Sequence, residues 1–327
     1  MPELPEVETT KTSLSPLLGQ RVSKVEVFQP KLRWPMPNDL TALVGYSLDR
    51  VERRAKYLLV TFKSTQAISP AEHTLIIHLG MSGSLQQHPV GTEKRKHDHL
   101  IMLFDEADKQ TQLHYHDPRR FGAILWYKEY APKLLEHLGP EPLATEFSAD
   151  YLYHLIQRTE VSDTPAKVPD STLLKSVGSS LAQQPLTSHS ASAIQSPSKK
   201  SAKRPIARAI KSVIMEQQIV VGVGNIYATE SLYLSAINPA TPAHHLTYQQ
   251  IEVLVAHIKA ILKKAIALGG STLRDFTVAS GQTGYFQQTL NVYGKQGESC
   301  PHCATELDNI KINGRASVYC PNCQPLQ

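Results

Sequence analysis

Residues 22–28 read Val-Ser-Lys-Val-Glu-Val-Phe. Apolar and polar positions alternate with a period of two, which predicts a strand with one buried face. Further short apolar runs at 58–62, 75–79, 100–104, 113–116 and 123–127 are separated by turn residues. Strands at such spacing predict a β-sandwich or barrel. The breaker cluster Leu138-Gly139-Pro140-Glu141-Pro142 closes that region. Beyond it the period changes. Residues 149–157 carry a helical pattern, and from Ile206 onward Ile210, Val213 and Ile214 mark the apolar face of another predicted helix. Gly222-Val223-Gly224-Asn225 punctuates between two helices, with Asn225 placed to start the second. A long helix is predicted over 248–268, stopped by Gly269-Gly270. Residues 307–319 suit a β-hairpin. The pattern divides the chain into an N-terminal β domain over 1–140, a helical domain over 141–290 and a small module over 291–327.

Composition modifies this picture in one place. Residues 159–204 are rich in Ser, Ala, Pro, Gln and Thr with few large apolar side chains. Such a stretch buries too little surface to offset its ordering entropy and reads as a flexible insertion. It ends in the basic run Lys199-Lys200-Ser201-Ala202-Lys203-Arg204, either a solubilising run or an auxiliary phosphate contact. The net charge of +5 permits an anionic partner without requiring one. No apolar run reaches the roughly 18–20 residues of a membrane span, and no signal-peptide pattern opens the chain, so the expected location is the cytoplasm. All four cysteines fall in the last 28 residues. Cys300-Pro301-His302-Cys303 and Cys320-Pro321-Asn322-Cys323 flank sixteen residues. Two such turns can close a tetrahedral thiolate site for one structural Zn²⁺. Two disulfides or a redox pair are the alternatives; the spacing and the lack of other cysteines favour zinc.

The first six residues, Met1-Pro2-Glu3-Leu4-Pro5-Glu6, admit two readings. Early Pro and Glu are ordinary helix-start chemistry. Removal of Met1 would instead leave Pro2 as a terminal secondary amine with a pKa of about 7.7–8.0. That amine can attack an electrophilic carbon and form an iminium, an electron sink, with Glu3 and Glu6 beside it as acid, base or orienting groups. Other segments are similarly double. Lys56, on the turn Arg53-Arg54-Ala55-Lys56-Tyr57, is either solvated or directed at a phosphate or reacting centre. Met81, in His78-Leu79-Gly80-Met81-Ser82-Gly83-Ser84, either returns to the core or stands out as an apolar wedge. In Asp117-Pro118-Arg119-Arg120-Phe121-Gly122, Arg119 and Phe121 either stack at the surface or enter a nucleic acid, where apolar wedges unstack bases. The helix start at Asn225 offers free N–H groups to a phosphate, with Gly222 and Gly224 allowing close approach, or belongs to a purely structural hairpin. Arg315 is a surface arginine or a bidentate phosphate contact.

MPELPEVET, RRAKYLL, HLGMSGSL, KHDH, DPRRFGA, LGPEPL, VVGVGNIYA, GYFQQTLNVYG and the four-cysteine finger occur in that order. On these segments the chain resembles the formamidopyrimidine-DNA glycosylase family of bacterial 8-oxoguanine repair enzymes, nearly end to end except for about 157–203. The resemblance implies an α+β multidomain fold: an N-terminal β-sandwich with flanking helices, a helix–two-turns–helix domain and a C-terminal β-hairpin zinc finger, with damaged double-stranded DNA in the cleft between them. It implies a monomer, with no membrane partner, that removes oxidised purines and then cuts the strand as an AP lyase. Pro2 would attack C1′ of the damaged nucleotide, Glu3 would transfer a proton at the sugar, and β- and δ-elimination would follow from the iminium. Lys56 and Arg315 match residues assisting this chemistry. Met81, Arg119 and Phe121 match residues filling the gap left by the flipped nucleotide, a step required because the lesion is inaccessible in the stack. His97, Arg119 and Asn225 match DNA-contacting positions, Glu6 helps organise the site, and the loop 280–285 resembles one that closes over the extruded base. Two positions depart from the family. Ile206 stands where a DNA-contacting lysine is common, so Lys203 or Arg208 is expected to substitute; Gly314 stands where Gln is common. An endonuclease VIII-like glycosylase for oxidised pyrimidines is the same-fold alternative, although Leu4 fits the formamidopyrimidine branch. A non-catalytic zinc-finger protein that binds damaged DNA is the alternative of a different class.

Overall fold

The computed structural model describes residues 2–64, 71–106, 109–159, 204–270 and 289–327. The chain opens with α1 (Leu4–Ser13), then eight strands: β1 (Arg21–Val27), β2 (Ser47–Arg54), β3 (Tyr57–Lys63), β4 (Glu72–His78), β5 (Ser84–Pro89), β6 (Asp98–Glu106), β7 (Lys109–His116) and β8 (Ala123–Trp126). They form one antiparallel ladder in the order β5-β7-β6-β1-β2-β3-β4-β8. β1 pairs with β6 over most of its length but meets β2 at the single pair Arg21–Ser47, and it is bulged between Val22 and Lys24. The ladder turns a corner there, since a bulge bends and twists its strand. Its two halves face each other as the layers of a sandwich. Leu48, Phe62, Leu75 and Ile77 from one half and Leu85, Leu100, Phe104 and Leu113 from the other share one core, closed by Leu14 and Leu17. Each fully buried side chain of this kind stabilises the fold by about 1.5–3 kcal/mol. β5 carries little apolar alternation; pairing with β7 from Ser84–His116 to Pro89–Thr111 makes it a strand.

A second core gathers α3 (Ala149–Gln157), α4 (Ile210–Ile214), α5 (Asn225–Leu234) and α6 (Tyr248–Ala267), reached through α2 (Tyr127–Leu134) and the Gly139-Pro140 linker. α6 follows the expected stripe: Ile251, Leu254, Val255, Ile258, Ile261, Leu262 and Ala265 are buried. Gly269 and Gly270 end it at φ +78° and +80°, and the Gly270 N–H donates to the Ala265 carbonyl at 2.8 Å. The helix expected from Ile206 starts only at Ile210. Ile206 lies outside the helix, donating its N–H to the Ile156 carbonyl at 2.8 Å and burying its side chain in the helical core. An apolar residue at that position therefore serves packing and faces no external partner.

β9 (Asp308–Ile312) and β10 (Arg315–Tyr319) form the C-terminal hairpin. Asn313 and Gly314 make its two-residue turn, both left-handed at φ 48° and 74°. That is the primed turn that matches strand twist, and it favours Asn-Gly; Gly314 is thus explained by the turn. Residues 160–203 of the expected insertion, including Lys203, and the loop 280–285 lie outside the described residues.

Candidate active site

The N-terminal peptide docks into the turn before α5. Pro2 and Glu3 are buried. The Leu4 N–H donates to the Gly222 carbonyl at 3.1 Å. Glu3 caps α1, while its carboxylate sits at the start of α5, accepting from the Ile226 N–H at 3.0 Å and the Tyr227 N–H at 3.5 Å. Helix N-termini favour negative charge, so Glu3 occupies the place that the sequence offered to a phosphate. Gly224 makes room for it: a Cβ there would lie 2.2 Å from Glu3 Cδ. Gly222, at φ +80°, makes room for Leu4, which would meet a Cβ at 2.5 Å. Glu6 completes the anchor, accepting from the Glu3 N–H and from the Tyr227 hydroxyl, both at 2.8 Å.

Lys56 enters from the β2–β3 turn, its Nζ 3.4 Å from the Val223 carbonyl. The turn is held by Glu141 of the linker, which accepts from the Ala55 N–H at 2.7 Å and pairs with Arg53 and Arg54. Ala55 is left-handed at φ 55°, a conformation that persists when its surroundings over-determine it. Burial pushes the Glu3 carboxyl up from its ordinary value; Lys56 and the α5 amides oppose the rise and Glu6 adds to it. Burial likewise pushes the Lys56 amine down, opposed by Glu3 and helped by Arg315. Opposite shifts on neighbouring buried groups are the pattern that marks a functional site. His78, which pairs with Tyr57 across β3–β4, is lowered to about 4 by burial, Lys56 and Arg33. It is a neutral imidazole in this site, accepting from the Gly80 N–H through Nδ1 at 3.0 Å.

Asp117 ties two distant turns into one ridge. It is buried and accepts from the Ser82 hydroxyl at 2.7 Å and the Gly122 N–H at 2.9 Å. Gly80 lies against the Phe121 backbone, where a Cβ would meet it at 2.4 Å. Met81 and Phe121 consequently stand out together, 37% and 46% exposed, and the Arg119 guanidinium lies 5.2 Å from the Phe121 ring centroid. His97 joins this edge through its carbonyl, which accepts from the Asp117 N–H at 3.0 Å, and its ring packs against His116. Asn225, the first residue of α5, has its buried Oδ1 without a hydrogen-bond partner among the described residues. Arg208 pairs with Glu216 at 2.6 Å and lines a cleft of about 240 Å³ with Lys211 and Arg315.

In the finger, the Sγ atoms of Cys300, Cys303, Cys320 and Cys323 all lie within 4.8 Å of one another. The Cys303–Cys320 and Cys300–Cys323 separations are 3.4 and 4.0 Å. A disulfide would need about 2.05 Å. A tetrahedral Zn²⁺ with Zn–S of about 2.3 Å needs thiolates roughly 3.8 Å apart. The four cysteines fit one structural zinc, and the hairpin they anchor carries Arg315 back toward Lys56. Pro2, Glu3, Lys56 and the cysteines were legible in sequence as candidates; His78, Asp117, Glu141, Tyr227 and Lys211 were not, because each is a polar residue whose partner is remote in sequence or hidden in a turn.

Three sequence profiles match the chain. They describe a formamidopyrimidine-DNA glycosylase N-terminal domain over residues 1–124, a formamidopyrimidine-DNA glycosylase H2TH domain over 181–277, and a zinc finger found in FPG and IleRS over 297–326. A formamidopyrimidine-DNA glycosylase of Psychrobacter arcticus is 63% identical over 337 aligned residues, covering 100% of this chain and 99% of the relative. A mutant Fpg of Lactococcus lactis, solved with a Fapy-dG containing DNA, superposes with a TM-score of 0.74 at 30% identity, covering 99% of this chain and 100% of that one. The wild-type Lactococcus lactis enzyme, solved with an oxidised pyrimidine containing DNA, matches with the same score, identity and coverage.

Proposed function

The chain belongs to the formamidopyrimidine-DNA glycosylase family of base excision repair enzymes, and from that premise we propose that it removes oxidised purines from duplex DNA through Pro2 and then cuts the strand as an AP lyase. The observation that carries the reading is the docking of the N-terminal peptide: Glu3 is fixed at the start of α5, beside buried Lys56. A terminal amine at Pro2 would stand next to that carboxylate. Its nitrogen lone pair forms the bond to C1′ as the base departs with its bonding electrons and a proton. Opening of the sugar ring, with Glu3 supplying the proton to the ring oxygen, leaves an iminium. Loss of a C2′ proton then sends electrons toward the iminium nitrogen as the C3′–O bond breaks and the 3′-phosphate leaves. Loss of a C4′ proton expels the 5′-phosphate in the same way, and water hydrolyses the iminium. Arg315 holds a phosphate during the second step, and Lys56 stabilises charge near Glu3.

The Met81, Arg119 and Phe121 ridge fills the space vacated by the flipped nucleotide. His97, Asn225 and Arg208 contact the DNA backbone, Arg208 taking the role open at Ile206 once phosphate displaces Glu216. We assign Lys203 an auxiliary phosphate contact on sequence grounds. The enzyme acts as a cytoplasmic monomer, with the chain divided at about 140 and 290. Borohydride trapping on a duplex carrying 8-oxoguanine opposite C tests the mechanism. A reduced adduct mapping to Pro2 by mass spectrometry is expected; an adduct on any other residue would reject Pro2 as the nucleophile. The Lactococcus lactis complex with oxidised pyrimidine DNA motivates a second substrate class. Faster excision of thymine glycol than of 8-oxoguanine would move the chain to that class.

A further inference from the structure

Lys211 is 1% exposed, yet it carries an amine into the interface between α4 and the finger. Its Nζ donates to the Ala316 carbonyl at 2.9 Å and to the Ser317 hydroxyl at 2.7 Å. Ser212, the next residue, accepts from Asn313 Nδ2 at 2.9 Å. Two adjacent residues of one short helix therefore grip the hairpin on both sides of Arg315: Asn313 before it, Ala316 and Ser317 after it. The Arg315 side chain is exposed and its guanidinium meets no hydrogen-bond or ion-pair partner among the described residues, while its carbonyl accepts from the Ser317 hydroxyl at 3.3 Å. The grip adds to the hairpin's own ladder and to the packing of β10 on α5 in setting where the guanidinium lies. A buried ammonium is costly unless hydrogen-bonded, and hydrophobic packing alone would be served by leucine or methionine. The investment has a geometric return: the hairpin is fixed in the direction that brings Arg315 electrostatically close to both Lys56 and Lys211.

We propose that Lys211 is a positioning residue that aims Arg315 at the departing 5′-phosphate, so that it governs δ-elimination more than base release. This rests on the reading of Arg315 given above. The test uses full-length, zinc-loaded enzyme on a duplex with a preformed abasic site, scoring the ratio of δ- to β-elimination products. Wild type, Lys211→Met, Arg315→Ala and the double variant are compared, with zinc content and melting temperature as controls of folding. A misplacement of 1 Å can cost about a hundredfold in rate, so Lys211→Met is expected to lower the ratio about tenfold or more. Base release from 8-oxoguanine duplex should fall less. Arg315→Ala should lower the ratio at least as far, and the double variant no further than Arg315→Ala.

If Arg315→Ala leaves the ratio unchanged, the role of Arg315 is wrong and the proposal falls with it. If Arg315→Ala lowers the ratio and Lys211→Met does not, the proposal alone is refuted. A double variant lower than Arg315→Ala by the full Lys211→Met factor would mean that Lys211 acts independently of Arg315, which also overturns it. Should Lys211→Met fail to fold, Ser317→Ala removes one of the two acceptors at little steric cost. It should lower the ratio, with Ser317→Thr restoring it; an unchanged ratio in Ser317→Ala would then decide against the proposal.

Discussion

Replacing Gly224 with alanine tests the seat of Glu3 by adding one carbon. The backbone there is extended, at φ −124° and ψ −159°, so alanine brings no conformational strain. The new Cβ would lie 2.2, 2.4 and 2.6 Å from the Glu3 Cδ, Oε1 and Oε2 atoms. Carbon contacts are ordinarily about 3.5–4.0 Å, so the carboxylate must retreat by more than an ångström. Retreat breaks its bonds to the Ile226 and Tyr227 amides. Hydrogen bonds to a charged group are worth about 1.5–3 kcal/mol each. Losing one or both removes roughly 1.5–6 kcal/mol from the placement of Glu3, and each 1.36 kcal/mol is a factor of ten in rate. An excision defect of about ten- to 10⁴-fold is expected, a range that contains the roughly 10²-fold effect usual for a 1 Å misplacement. The assay is single-turnover base release from an 8-oxoguanine duplex at saturating enzyme, with thermal unfolding alongside. A folded Gly224→Ala enzyme that excises within threefold of wild type would refute the claim that Glu3 at the start of α5 is the working geometry.

Removing zinc with a chelator should release the hairpin and weaken DNA binding by more than tenfold; unchanged affinity in metal-free protein would contradict a structural role for the four-cysteine site. Asp98 is fully buried and receives His114, His116 and Arg95. Burial alone would raise its carboxyl, but the hydrogen bonds from His116, Arg95 and His114 outweigh burial and hold it well below the usual range. Asp98→Ala should therefore cost about 3 kcal/mol in urea unfolding near neutral pH, the lower end expected for breaking a buried pair because Arg95 is partly exposed. That difference is fully present above the ordinary carboxyl value of 3.8 and shrinks as pH falls below it; a gap that persists undiminished into strong acid would show that packing, not charge, is responsible. Burial lowers the Lys211 amine to about 8 from 10.5, opposed by Glu3 and helped by Arg315. Between those values the unfolded chain holds a proton that the native one has released, so wild-type stability relative to Lys211→Met should rise across that window. A flat difference would mean that Lys211 is not buried as an amine.

Alternation predicted β1, short apolar runs between turn residues predicted β3, β4, β6, β7 and β8, and the apolar stripe predicted α6, because buried faces write their pattern into the chain. The four cysteines spelled out their own site, since C-x₂-C turns need no distant partner to present two thiolates. Pro2, Glu3, Lys56 and Arg315 could be named from local motifs. What they face could not: the seat of Glu3 is made by Gly224 and the α5 amides more than 220 residues away. Ile206 read as the start of a helix, whereas its N–H pairs with the end of α3 instead. Lys211, Asp117 and Glu141 look in sequence like ordinary polar residues of a helix or a turn. Only the tertiary fold gives each of them a buried partner, because a desolvated charge or hydrogen bond acquires its strength from surroundings that distant segments of the chain assemble.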